Sequence, residues 1–342
     1  MEPALPGAVT VLGFGNQGEA QALNLRDSGV AVVVGARPGG AGEARARAHG
    51  FETLALEQAA RRAPVCAVML PDERIPELWP AVAGALPPRA GIVFAHGFAL
   101  LYHDLAFPGD ADVVLVSPTG PGRVLRELYV RGQGLPAYLA VQSDASGDAW
   151  GLAERYARGI GSARATLWRT TVREETEVDL FGEQSVLCGG MNELVTAAFE
   201  TLVARGYSAE IAYLECVHQL KYLADLLHER GVAGMRRGIS GTALFGDLTR
   251  GPRVIGEASR AAMAALLEEI RSGDFAREWV AEYQRGSPTI AAGLARAGTH
   301  PMEAARASAV AAGTTAGGES GQVPAQTPPK DRGESRKALS KN

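Results

Sequence analysis

Val9-Thr10-Val11-Leu12-Gly13-Phe14-Gly15-Asn16-Gln17-Gly18 decides how the first half of the chain is read. An apolar, β-branched run passes straight into a Gly-x-Gly-x-x-Gly turn, and Glu19 to Ser28 behind it has helical composition. Glycine at these three places permits a tight turn, close approach of backbone to a pyrophosphate, and close packing of helix on strand. The free amides of the helix N-terminus then face the phosphates. A glycine-rich structural turn is the plain alternative. At the first strand of an alternating chain, the motif points instead to a dinucleotide.

Working outward, short apolar runs recur at Val30 to Val34, Val65 to Leu70, Ile92 to Ala95, Val113 to Val116 and Tyr138 to Val141. Their near-continuous apolarity is that of buried parallel strands, and the segments between them are long enough for crossover helices. A doubly wound parallel α/β sheet of the Rossmann type follows for residues 1–171, with Thr166 to Thr171 closing the sheet or leading out of it. From Arg173 the apolar period becomes helical. Helices are expected over Ala209 to Glu229, Glu257 to Arg271 and Asp274 to Arg285, so residues 172–299 form an all-helical C-terminal domain. His300 to Asn342 is rich in Ala, Gly, Thr, Pro and Gln, and 300–342 is expected to be a disordered tail.

Composition narrows the partners. In 342 residues, 46% are hydrophobic and 21% charged, as in an ordinary globular enzyme. A net charge of -4 gives no reason to expect nucleic acid or an anionic membrane. Met1 to Pro6 lacks the basic and apolar regions of a secretory signal, and no apolar stretch is long enough to be expected to cross a bilayer. Cys66, Cys188 and Cys216 are widely spaced and odd in number, which fits reduced thiols in a cytoplasmic protein.

Candidate chemistry collects where strands end. NAD-selective domains carry an Asp or Glu near the end of this second strand to bind the ribose hydroxyls, and none is read there; Arg37 instead stands 19 residues after Gly18, where a guanidinium holds a 2'-phosphate. That favours NADPH, with NADH possible. Asp72 follows the third apolar run, His96 the fourth, and Ser117 to Gly122 the fifth, all at the carboxyl edge where such sheets bind ligands. A lone histidine is often structural, but one at that edge is a candidate for catalysis. Glu175, Asp179 and Glu183 share a helical stripe. Such a stripe is either a solvated face or a site for a hard cation such as Mg²⁺, which would relieve the repulsion between like charges four residues apart.

The wording of the chain closely resembles ketol-acid reductoisomerase of the short bacterial type. The stretches that carry the resemblance are GFGNQGEAQALNLRDSG (13–29), LPDE (70–73), FAHGF (94–98), GPG (120–122), VQSDASG (141–147), EETEVDLFGEQSVLCGG (174–190), FETLVARGY (199–207), AYLECVHQLKYLADL (212–226) and GPRVI (251–255). They keep the family's order and span everything but the tail. The resemblance implies an enzyme of branched-chain amino-acid biosynthesis that uses NADPH and Mg²⁺. It would convert a 2-hydroxy-2-alkyl-3-keto acid to a 2,3-dihydroxy acid by an alkyl shift and a hydride reduction. It also implies a homodimer or larger homo-oligomer. Asp179 matches the aspartate that bridges two ions, Glu183 its partner on the first, and Glu215 a ligand of the second. His96 matches the active-site histidine, and Ser240 the serine at the substrate carboxylate. Gly13, Phe14, Gly15, Asn16, Gln17, Gly18, Arg37, Asp72 and Gly122 fall where the cofactor is held.

Two departures lie at the centre of that pattern. Thr119 stands where the resemblance calls for lysine, and Gln219 where it calls for a further metal-binding glutamate. Loss of one positive and one negative group together reads as remodelling. Gly39 to Gly42 also lacks serines that would hold a 2'-phosphate, and Gly238 and Gly241 replace larger neighbours of Ser240. The expected function is Mg²⁺-assisted, nicotinamide-dependent reduction of a keto or ketol acid. The alternatives are a neofunctionalised enzyme acting on another acyl substrate in secondary metabolism, and a non-catalytic nucleotide-binding partner.

Overall fold

The computed structural model describes Leu5 and residues 7–314, with side chains through residue 309. The first half alternates β1 (Val9–Leu12), α1 (Asn16–Asp27), β2 (Val32–Gly35), α2 (Ala41–Ala48), β3 (Glu52–Leu54), α3 (Leu56–Ala60), β4 (Val65–Val68), α4 (Ile75–Ala83), β5 (Gly91–Phe94) and α5 (Phe98–Tyr102). It continues with β6 (Asp112–Pro118), α6 (Gly122–Val130), β7 (Ala137–Ser143), α7 (Ala149–Gly159) and β8 (Leu167–Arg169). The strands form one sheet in the order β3-β2-β1-β4-β5-β6-β7-β8. Val9 of β1 stands beside Val32 of β2 and Val65 of β4, both parallel, as the dinucleotide-binding fold requires.

Burial on both faces explains the unbroken apolar runs. Val9, Val11, Val34, Ala67, Val93 and Val114 pack on one side with Leu25, Tyr156 and Ile160 from α1, α7 and the turn after α7. Leu12, Cys66, Val68, Ile92, Phe94 and Leu115 pack on the other with Trp79 and Val82 of α4. Alternate residues of each strand serve opposite layers, so the central strands are apolar almost throughout, and the buried Thr10 hydroxyl donates to the Ala59 carbonyl at 2.8 Å.

Two details of the sheet differ from the sequence expectation. β7 runs antiparallel to β6, with Ala137 opposite Pro118. The chain re-enters the sheet at the edge it left, and the Thr119 amide donates to the Pro136 carbonyl at 2.8 Å. β3 carries no apolar run because it is a short edge strand with Glu52 exposed and Thr53 and Leu54 only half-buried.

The rest is helical: α8 (Val172–Gly182), α9 (Gly189–Ala204), α10 (Ala209–Tyr213), α11 (Leu220–Arg237), α12 (Gly241–Val254), α13 (Glu257–Arg271), α14 (Asp274–Gln284), α15 (Pro288–Thr299) and α16 (Pro301–Thr314). π-helical turns over Glu183–Leu187 and Leu214–His218 join α8 to α9 and α10 to α11. Gly231 breaks α11 with a φ of 65°, two residues past the expected helix end at Glu229.

Two compact units result. The first holds the described residues up to Glu193 together with Gly241–Ala291, and the second holds Leu194–Ser240 with the described residues from Ala292. The units therefore do not part at 171/172, where the apolar period changes. Leu180 of α8 buries against Phe98 of α5, Ile270 of α13 and Ala276 of α14, which ties these helices to the sheet.

In the second unit, Phe199, Ala212 and Tyr213 bury against Ala305, with Met302 and Ala309 packed beside them. This corrects the expectation of disorder from residue 300. α16 begins at Pro301, a residue pre-set for the first helical position, and the His300 Nδ1 accepts the Met302 amide at 3.2 Å. Small residues at Ala305 and Ala309 suffice for close contact with α10, although they read as low complexity in sequence. The remainder of the expected tail lies outside the described residues.

A second correction concerns helix length. Because the π-turn keeps α8 and α9 continuous, residues 172–204 form a helical run of 33 residues with an 18-residue window of mean hydropathy 1.2. By length and composition alone, that is enough to cross a bilayer. The Gly189-Gly190 pair hides the continuity in sequence. Cys66, Cys188 and Cys216 are all free thiols, and burial pushes the Cys66 thiol up to about 12.

Candidate functional site

The nucleotide end is built on β1 and α1. Gly13 takes a φ of 93°, and a Cβ there would collide with the Met69 carbonyl. A Cβ on Gly18 would meet the Gly13 carbonyl, so helix and turn touch backbone to backbone. Gly15 is different, because a Cβ built on it has nothing within 4 Å and would stand in open space at the start of α1. The turn after β6 closes one side: Gln17 Nε2 donates to the Gly120 carbonyl at 3.0 Å, and a Cβ on Gly122 would overlap the Asn16 carbonyl. Open space at a helix N-terminus, bare of side chain, fits a pyrophosphate. The ring of Phe14 is buried against Phe51, centroids 5.7 Å apart, so Phe14 can offer a nucleotide only its backbone.

The turn after β2 holds a group that sequence spacing missed. Arg37 is exposed, as expected. Glu43, in the first turn of α2, folds back so that its Oε2 accepts the Gly39 amide at 2.6 Å while its Oε1 pairs with Arg47 at 2.7 Å. A carboxylate thus stands on the loop that sequence reading found free of acid. Its position six residues after Arg37 concealed it, because only the bend at Gly39 and Gly40 brings it back.

Asp72, His96 and Thr119 follow β4, β5 and β6, three neighbouring strands, so they share the carboxyl edge of the sheet. His96 Nδ1 lies 3.2 Å from Glu175 Oε1 and 3.4 Å from Asp179 Oδ2, both on α8. Glu175 is buried, and its Oε2 also accepts the Gly97 amide at 3.0 Å. A Cβ on Gly97 would strike Thr176 and Glu175, so only glycine lets this turn approach α8. Sequence reading placed Glu175 in the acidic stripe without giving it this role. A buried carboxylate amid apolar neighbours needs a partner, and that is the signal which would have singled it out.

The charges in this cluster perturb one another. Burial alone would hold the His96 imidazole below its ordinary range. The hydrogen bond and charge of Glu175, aided by Asp72 and Asp179, outweigh burial and push it up to about 9. Burial raises Asp179 to about 6, opposed by His96 and reinforced by Glu183 and Glu175. Asp72 is raised to about 6 by burial, against His96 and with Glu73, Glu175 and Asp179 adding to it. Burial is thus the main reason that both carboxyls are held high, with the neighbouring carboxylates adding to it.

Two of the candidate metal carboxylates, Glu183 and Glu215, lie in π-turns, which often mark functional sites, and Asp179 lies in α8 one turn before the first. Glu183 opens the first and is exposed one turn from half-buried Asp179. Two hard oxygen donors at that spacing, one with a raised pKa, fit Mg²⁺, which takes one or two carboxylates and keeps water or substrate oxygens. Among the described residues, no three His, Cys, Asp or Glu side chains converge as a complete ligand shell. Glu215 lies in the second π-turn, where Gln219 Nε2 donates to its Oε2 at 2.6 Å. Ser240 is exposed in the link between α11 and α12. Glu215, Gln219 and Ser240 belong to the second compact unit, and the other site residues to the first. The Thr119 hydroxyl donates to the Pro136 carbonyl at 3.0 Å, so it is committed to the edge of the sheet.

Comparison with known proteins identifies the family. Residues 6–166 match the family model for the acetohydroxy acid isomeroreductase NADPH-binding domain, and residues 172–311 that for the ketol-acid reductoisomerase C-terminal domain. The structure of an NADH-preferring ketol-acid reductoisomerase from an uncultured archean superposes with a TM-score of 0.85 at 37% identity, covering 88% of this chain and 93% of that one. A semialdehyde dehydrogenase NAD-binding protein from Cupriavidus necator has a TM-score of 0.61 at 19% identity, covering 78% of this chain and 99% of its own. A pyrroline-5-carboxylate reductase from Coxiella burnetii has a TM-score of 0.56 at 16% identity, covering 78% of this chain and 98% of its own. These two share the fold alone. With both halves matched and a solved relative at 37% identity over almost its full length, the chain belongs to the ketol-acid reductoisomerase family of NAD(P)-dependent oxidoreductases.

Proposed function

We propose that the protein is a Mg²⁺-dependent reductase of a 2-hydroxy-3-keto acid or a closely related keto acid, using NADPH or NADH. The observation that supports this most is the contact of His96 with Asp179 at the carboxyl edge, where burial and neighbouring carboxylates raise the Asp179 carboxyl. Asp179 and Glu183 would hold the cation, and in the second unit Glu215 and Gln219 are the further candidate oxygen ligands. Mg²⁺, when bound, supplies polarisation of the substrate ketone, and the dihydronicotinamide supplies hydride. Backbone at Gly13 to Gly18 and Gly122 would hold the pyrophosphate, with Asn16, Gln17 and Asp72 beside it and Arg37 at the adenosine end. Glu175 holds the His96 Nδ1 and so presents Nε2, which would carry the proton exchanged with a substrate oxygen. Ser240 would meet the substrate carboxylate.

The exposed apolar side chains Leu194, Tyr222 and Leu227 of the second unit, and Phe245 and Leu248 of the first, support a homo-oligomer. The long run 172–204 carries Glu174, Glu175, Glu177, Asp179, Glu183, Glu193 and Glu200, a set costly to place in lipid. We read its apolar face as contact with another copy in a cytoplasmic enzyme.

Steady-state turnover of acetolactate, with NADPH or NADH and with or without Mg²⁺, tests the proposal. Cofactor oxidation that requires Mg²⁺ is expected, and no oxidation with any keto or ketol acid would refute it. Retention of nucleotide binding in that case would favour a non-catalytic partner. The hydrogen bonds of Thr119 and Gln219 favour a second reading, in which another keto acid is the preferred substrate and the alkyl shift is weakened. Turnover of acetolactate as fast as that of family members with the full ligand set would overturn that reading.

A further inference from the structure

Each of the two π-turns carries a candidate metal carboxylate, and the two are partnered differently. On the first, Asp179 and Glu183 are four residues apart on one helical stripe. Asp179 contacts His96, and among the described residues the Glu183 side chain accepts no hydrogen bond or ion pair. On the second, the corresponding spacing joins Glu215 to Gln219, and the Gln219 Nε2 donates to the Glu215 Oε2 at 2.6 Å. The amide must face the carboxylate through its NH₂, because its oxygen would be repelled there.

We infer that this amide–carboxylate hydrogen bond stands in place of a second cation, so that the protein binds one divalent ion per chain, at Asp179 and Glu183. The inference rests on the proposal that those two residues hold Mg²⁺. Two carboxylates one turn apart repel, and a cation gains by relieving that repulsion. Glu215 and Gln219 have no such repulsion to relieve. Mg²⁺ gives up water reluctantly and favours anionic oxygen, and at Glu215 it would displace a charge-assisted donor while gaining one carboxylate only. Gln219 is then a positioning residue. It holds Glu215 in a single orientation, with Oε1 left to accept from water or substrate.

Ion counting on metal-stripped, full-length protein tests this without any turnover. Equilibrium dialysis against Mn²⁺, with free Mn²⁺ read by electron paramagnetic resonance, should give one ion per wild-type chain. Gln219→Glu should bring the count to two, because it restores a carboxylate pair. Gln219→Ala should stay at one, because breaking the hydrogen bond adds no anionic ligand. Circular dichroism of each variant checks that it is folded. Two ions per wild-type chain with affinities within tenfold of each other, a Gln219→Glu protein that remains at one, or a Gln219→Ala protein that rises to two would each overturn the inference. Asp179→Asn separates the two readings. Loss of the remaining ion supports both, whereas its retention means that Asp179 is no ligand and the proposed site itself is wrong.

Discussion

Glu175 holds His96 from beneath: its Oε1 lies 3.2 Å from the His96 Nδ1, while its Oε2 accepts the amide of Gly97 at 3.0 Å. One buried carboxylate thus fixes both the ring and the backbone turn that carries it. Orientation of a histidine through its second nitrogen decides which nitrogen faces the substrate.

Glu175→Gln should therefore lower the His96 pKa from about 9, because burial is then opposed by the charges of Asp72 and Asp179 alone. The same change should destabilise the protein by about 1.5–3 kcal/mol, the worth of a hydrogen bond to a charged group. Histidine titration by NMR and urea unfolding measure the two effects. An unchanged His96 pKa would show that Glu175 does not orient the ring.

Stability of the metal-free protein should fall as pH rises, in two stages. Asp72 and Asp179 are raised from 3.8 to about 6, so their folded states bind protons that the unfolded chain releases between those values. His96 is raised from 6.5 to about 9, so its contribution is complete below pH 6.5 and is lost as pH rises through about 9. Saturating Mg²⁺ should flatten the profile, because a cation at Asp179 favours its ionised form. Thermal unfolding between pH 4 and pH 10, with EDTA or with Mg²⁺, reads this directly, and a metal-free profile that rises with pH would contradict it.

Alanine at two glycines should separate folding from nucleotide binding. Gly15→Ala meets nothing within 4 Å, so the Tm of the nucleotide-free protein should scarcely move while the Kd for NADPH and NADH rises at least about tenfold. Gly122→Ala overlaps the Asn16 carbonyl and should destabilise the fold by about 1–3 kcal/mol. Calorimetry of binding and of unfolding measures both. Equal behaviour of the two variants would mean that the space at Gly15 is not the pyrophosphate site.

The loop after β2 should set cofactor preference through opposing charges. Arg37→Ala should weaken NADPH more than NADH, because the 2'-phosphate loses a charged donor. Glu43→Gln should shift preference towards NADPH, because the negative group tied to Gly39 becomes neutral. The ratio of kcat/KM for the two cofactors reports each shift, expected at about five- to tenfold, or about 1–1.4 kcal/mol. A ratio unmoved by both changes would place the determinant elsewhere.

Sequence by itself carried the parallel sheet, the dinucleotide turn and the helical second half. Strands buried on both faces are apolar at nearly every position, and a backbone turn against a phosphate favours glycine, so both leave local marks. Thr119 and Gln219 were legible as departures from a family pattern, and helical spacing sets Gln219 one turn after Glu215. The partner of Thr119 was not legible, because Pro136 lies 17 residues away and no spacing rule connects the two. Only tertiary structure turned β7 antiparallel, folded Glu43 back onto Gly39, gave Glu175 its buried place under His96 and packed α16 on α10. These depend on which surfaces meet across the sheet and between helices. Burial, which raises Asp72 and Asp179 and leaves Glu175 bound to His96, is a property of that meeting and of no single stretch of chain.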